Sequence, residues 1–134
     1  MPAFGARSLT KLAELHPDLQ RVLTEAIKHR DFAIICGYRD EAEQNEHFAT
    51  GRSKVQYPNS KHNQRPSLAV DVAPWYAEAP HIRWNDVTGF ASLGGFITGI
   101  AAAQGIAMRW GADWDGDGDH TDQTFMDWPH LELL

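Results

Sequence analysis

Leu19, Val22, Leu23, Ala26 and Ile27 recur at three- and four-residue spacing behind Pro17, a pattern that predicts a helix with one apolar stripe and proline in its first turn. Ahead of it, Leu9, Leu12 and Leu15 predict a first short helix with Ser8 as its cap. Lys28, His29 and Arg30 follow the stripe, where a helix end favours cations. The apolar run Phe32–Cys36 then predicts a buried strand. Asp40 and Glu43 stand in capping-box relation, so a third helix starts there and Gly51 can end it. Polar residues 52–67, with Pro58 and Pro66, read as an extended loop. From Leu68 to Ala73 the period is two: Leu68, Val70 and Val72 share one strand face, Ala69 and Asp71 the other. A Gly/Ala-rich helix is expected over about Asp86–Gln104, closed by Gly105. A third strand is expected at Ile106–Trp110 and a last one at about Pro129–Leu134, with an acidic, glycine-rich loop between them. The βαβα alternation is incomplete. The fold class is therefore α+β, one domain over residues 1–134 with a small, mainly antiparallel sheet flanked by helices.

Composition narrows the function. At 134 residues the chain suits one domain, and no separate cell-wall-binding module is visible. A net charge of -6 argues against a nucleic-acid binder or a polybasic membrane-surface protein. Between Val87 and Met108 no residue is charged, a length that could span a bilayer, but the stretch is rich in Gly and Ala and reads as a buried helix, with no stable membrane insertion. Residues 1–10 hold no apolar run, so no signal peptide is expected. The one cysteine, Cys36, excludes a disulfide framework and a multi-cysteine zinc site. Any metal must be held by histidine and carboxylate.

Three stretches offer such ligands: Ser60-Lys61-His62, Ala69-Val70-Asp71 and Asp127-Trp128-Pro129-His130. Two imidazoles and a carboxylate form a sensible set for catalytic zinc, which keeps a fourth position open. Asp71 lies on an otherwise apolar strand, where a carboxylate is costly unless paired. Asp127, three residues before His130, is spaced to act as a general base beside the metal without being a ligand. Taken singly, each of these is also compatible with a cap or a surface group, and Arg39 with an ion pair to Asp40 or Glu43.

In combination the stretches resemble the S-x-H, A-x-D and D/E-x-x-H motifs of LAS-type zinc peptidases. That group holds D-Ala-D-Ala carboxypeptidases and dipeptidases and the L-alanyl-D-glutamate endopeptidases of phage endolysins. Residues 109–119 and 125–130, with Gly37-Tyr38-Arg39 and Gln44, are most similar to the endopeptidase branch. The resemblance runs from Leu9 to Leu133 and implies a hedgehog/DD-peptidase-like fold. It implies zinc ligands His62, Asp71 and His130, Asp127 as catalytic base, and Arg39 as the group that binds the substrate carbonyl and stabilises the oxyanion. One departure stands out: eight residues separate His62 from Asp71, where the compact motif has six.

Asp113, Asp115, Asp117, Asp119 and Asp122 crowd the acidic loop. Positions one, three, five and the glycine at six match an EF-hand calcium loop, but position twelve is Thr124 rather than glutamate. The loop thus reads either as a Ca2+ site, regulatory or structural, or as a solvated acidic turn. His47 is expected at the surface, and Tyr57 and Trp114 are weak candidates for substrate contacts. The resemblance implies a zinc peptidase that cuts the L-Ala–D-Glu bond of peptidoglycan stem peptides during phage lysis, with a monomer as the default state. The enzyme would be held in the host cytoplasm and released with the help of a holin. A D-Ala-D-Ala carboxypeptidase or dipeptidase, and a non-catalytic metal- or wall-binding module, are the alternatives.

Overall fold

The computed structural model describes residues 1–134. Four helices, α1 (Ala6–Leu12), α2 (Pro17–Ile27), α3 (Glu41–Ala49) and α4 (Val87–Ala103), accompany four strands, β1 (Phe32–Cys36), β2 (Ala69–Pro74), β3 (Met108–Trp110) and β4 (His130–Leu133). The strands form one sheet in the order β1-β2-β4-β3, with every pairing antiparallel, as the α+β reading expects. No helix is long and apolar enough to cross a membrane.

Side chains alternate across the sheet, so each strand contributes one row to each face. Ile34, Val70, Val72, Leu131 and Leu133 point into a core closed by Leu19, Val22, Leu23 and Ala26 of α2 and by Leu93, Ile97 and Ala101 of α4. The Gly/Ala-rich α4 is buried for a packing reason: a Cβ at Gly94 would stand 2.8 Å from the Trp110 ring, so only glycine lets helix and β3 approach. The opposite row carries Asp71, His130 and Glu132. The sheet is thus the wall between an oily interior and a polar cleft.

Most predicted boundaries hold within two residues. The capping box of α3 is present, with the Asp40 side chain accepting from Glu43 N and the Glu43 side chain from Asp40 N. Two expectations fail. Ser8 does not cap α1; Gly5 does, and Ser8 lies inside the helix, buried, its Oγ accepting from Ile34 N at 3.0 Å. It ties α1 to β1, and losing such a buried bond costs about 1–3 kcal/mol. The 52–67 segment is not wholly extended either. A 3-10 turn at Lys61–Asn63 interrupts it, capped by Ser60 and closed reciprocally by Asn63.

Candidate metal centre and catalytic cleft

Asp71 and His130 are direct register partners across β2 and β4, which puts both side chains on the cleft face. On the other side of β2, a bulge between Ile34 and Cys36 shifts the β1 register so that Cys36 stands opposite Asp71. Such a bulge re-aims the chain that follows, here Gly37 and Arg39. His62 arrives on the capped 3-10 turn, held by Arg39 N donating to His62 O at 2.8 Å. The longer interval between His62 and Asp71 is absorbed by residues 64–68. Ser67 N is anchored on Glu14 O and Leu68 N on Lys61 O, leaving His62 and Asp71 adjacent.

Three donor atoms converge. His62 Nε2 lies 3.2 Å from His130 Nδ1 and 3.2 Å from Asp71 Oδ1, and His130 Nδ1 lies 3.3 Å from that same oxygen. Three ligands on a tetrahedral ion with bonds of about 2.0–2.1 Å stand about 3.3–3.4 Å apart. The triangle therefore fits one face of such a tetrahedron, and its two-nitrogen, one-oxygen chemistry suits zinc.

Each imidazole is oriented from behind. His62 Nδ1–H donates to Gly37 O at 2.7 Å, and His130 Nε2–H to Glu132 Oε1 at 2.8 Å, so the remaining nitrogens face the shared point. Glu132 is itself clamped: Arg109 Nε and Nη2 donate to its Oε2 at 3.0 and 2.9 Å, and Lys61 Nζ lies 3.2 Å away. Burial would raise the Glu132 carboxyl, but the hydrogen bond and charge of His130, with Arg109 and Lys61, pull it down to about 2. Glu132 was visible in the sequence only as the last residue of His130-Leu-Glu. Its alternation with His130 on β4 is the signal that could have marked it.

Burial disfavours charge on His62, yet Asp71's charge and hydrogen bond lift its pKa to about 10. His130 is raised too, against burial, by hydrogen bonds to Asp71 and Glu132. Asp71 is held well below the usual carboxylate range, against burial, by His62 and His130. The cluster thus draws positive charge to its centre, whether proton or metal.

Asp127 lies beside the triangle, its Oδ2 4.0 Å from His130 Nδ1. Burial and the neighbouring Asp71 charge push its carboxyl up to about 6. Its position rests on Gly111, whose O accepts from Asp127 N at 2.8 Å and whose N donates to His130 O at 2.7 Å. A Cβ at Gly111 would stand 2.3 Å from Asp127 O, so glycine is required there.

Arg39 is buried, and it meets neither Asp40 nor Glu43. Its Nη1 donates to Gln44 Oε1 at 3.0 Å and its Nη2 to Asp71 Oδ2 at 3.4 Å, while Nε has no partner. Gln44, fully buried, also donates to Val55 O and Ser53 Oγ, fastening Arg39 to the loop after α3.

All five residues line one cleft of about 880 Å³, together with Lys54, Trp84, Trp114 and Phe125. His47 is not simply at the surface but also lines it, whereas Tyr57 does not. Trp114 tilts against the His130 ring at 5.5 Å and its Nε1 donates to Phe125 O. The acidic aspartates stand apart from the triangle. Oxygens of Asp113, Asp115 and Asp117 lie within 4.8 Å of one another, Gly118 N donates to Asp113 Oδ2, and buried Asp113 Oδ1 has no partner. Asp119 caps a 3-10 turn at His120–Asp122 and does not join that group.

The sequence profile of the phage L-alanyl-D-glutamate peptidase family matches residues 2–134. The L-alanyl-D-glutamate peptidase of Escherichia phage T5 is 33% identical over 136 residues, covering 98% of this chain and 97% of that protein. Among solved structures, the L-Ala D-Glu endopeptidase ChiX of Serratia marcescens superposes with a TM-score of 0.79 at 29% identity, over 99% of this chain and 91% of that one.

Proposed function

Since the chain belongs to the phage L-alanyl-D-glutamate peptidase family, we propose that its cleft hydrolyses the L-alanyl–D-glutamate bond of peptidoglycan stem peptides, with zinc held by His62, Asp71 and His130. The convergence of three donor atoms at 3.2–3.3 Å beside Asp127 carries this reading. When bound, zinc supplies Lewis-acid polarisation of a carbonyl and acidification of water. The protein supplies the rest. Asp127 takes the proton of the attacking water and hands it to the departing amine nitrogen. Its pKa of about 6, close to neutrality, suits both steps. Arg39, which lines the cleft beside Asp71, holds the carbonyl oxygen as negative charge develops on it. Gly37 O and Glu132 fix the two imidazoles, so neither must reorganise during the reaction.

The unit spanning residues 1–134 acts as a phage lytic enzyme. It is made in the host cytoplasm and reaches the wall once a holin has opened the membrane. Calcium occupies the Asp113–Asp115–Asp117 group. The support for this is the convergence of carboxylate oxygens from three aspartates, together with the unpartnered Asp113 Oδ1. A bound cation would relieve their repulsion and order the loop that leads to Asp127.

The test is digestion of purified peptidoglycan with zinc-loaded protein, followed by mass spectrometry of the fragments. New amino-terminal D-glutamate is expected. Release of terminal D-alanine alone would instead indicate a carboxypeptidase, and no release at all would leave only a binding module.

A further inference from the structure

The cleft is lined by five Lys and Arg side chains: Arg39, Arg52, Lys54, Lys61 and Arg109. Four are already committed to carboxylates: Arg39 to Asp71, Arg52 to Glu46, and both Lys61 and Arg109 to Glu132. Lys54 is the exception. No carboxylate lies within ion-pair distance, and its ammonium stands 5.3 Å from the centre of the Phe125 ring, exposed to the cleft.

Its place is fixed from two sides. Gln44 holds the backbone of the next residue, Val55, together with Arg39. Phe125 stacks on Trp114, which leans on His130, and precedes Asp127 by two residues. Lys54 therefore lines the same cleft as Asp127, against Phe125, on the wall where Trp114 leans on His130.

The departing amine belongs to glutamate. Glutamate has two carboxyl groups, and only one continues the peptide; the other remains a free carboxylate a few bonds from the scissile nitrogen. In a chain of net charge -6, a cleft cation with no carboxylate partner of its own is the complementary contact for such a group. Resting on the proposed bond specificity, we propose that Lys54 binds the free carboxylate of the glutamate on the leaving side and so sets the preference for glutamate there. The Phe125 face holds the ammonium in place without neutralising it.

The experiment uses the zinc-loaded full chain and two soluble N-acetyl-L-alanyl-D-glutamyl peptides. Both continue through the glutamate side chain; the α-carboxyl is free in one and amidated in the other. Wild type should favour the free acid by about tenfold in kcat/KM, expressed mainly in KM, as expected for one charge-assisted contact. Lys54→Met should collapse that ratio toward one, and Lys54→Arg should keep most of it. Zinc content, measured for each variant, shows that the site is intact. Equal cleavage of both peptides by wild type, or an unchanged ratio in Lys54→Met, overturns the role of Lys54 and leaves the bond specificity standing. Failure of wild type to cut the Ala–Glu bond in either peptide overturns both.

Discussion

Asp71 and Asp113 are both partly buried aspartates, but they sit in opposite surroundings. Asp71 faces two imidazoles and a guanidinium, and its oxygens are met from several directions. Asp113 faces Asp115 and Asp117, and one of its oxygens meets nothing. The first region is built on paired strands, so its geometry exists before any ion arrives. The second is a loop of backbone turns in which aspartate oxygens accept from nearby N–H groups. The difference teaches that an ion entering the first would meet a preorganised site, whereas one entering the second would also have to order the loop.

The contrast is broken most severely at its stronger pole. Asp71→Asn removes the only anionic member of the proposed ligand set and should abolish stoichiometric zinc and lower turnover by more than about a thousandfold. Zinc analysis alongside peptide hydrolysis checks this, and full zinc occupancy in the variant would undo the ligand assignment.

Asp127→Asn should separate chemistry from metal: zinc retained, kcat reduced by about a thousandfold, in the upper part of the range for a positioned base. In the zinc-loaded wild type, kcat/KM should fall on the acid side of about 6, because the base is lost on protonation. A bound dication moves that limb lower, never higher. A variant that keeps the acid limb would show that another group carries it.

Glu132→Gln tests the support behind His130. Zinc affinity should weaken about 10- to 100-fold, measured by competition with a chelator. The smallest effect is expected in the acidic loop. Asp113→Asn with Asp117→Asn should leave zinc binding intact. Calcium at about a hundred times its Kd should raise wild-type stability by about 2.7 kcal/mol, and this gain should vanish in the double variant. Calcium-independent melting of the wild type would make the loop a solvated turn.

Much of this was legible in the chain. The period-two pattern of Leu68–Ala73 put Asp71, with Ala69, on the face opposite Val70 and Val72, and the capping box marked the start of α3. The family motifs pointed to His62, Asp71 and His130, whose donor atoms the fold brings together. The bulge at Ile34–Cys36, the inward turn of Ser8 and the buried pairing of Arg39 with Asp71 and Gln44 were not legible. Each depends on which distant strand or helix lies opposite, and local periodicity carries no record of that. The pairing of Lys61 and Arg109 with Glu132 was hidden for the same reason, since its members come from three separate segments.

Three of the five tryptophans crowd the corner that bears Asp127 and His130. Trp110 and Trp128 are 5.5 Å apart, with Trp110 Nε1 bonded to Trp128 O, and Trp114 lies against the His130 ring. Closely packed indoles in a fixed asymmetric arrangement couple their electronic transitions. The chain therefore carries its own optical reporter: near-ultraviolet circular dichroism and indole emission should follow the state of this corner when an ion replaces a proton on His130, with no label attached.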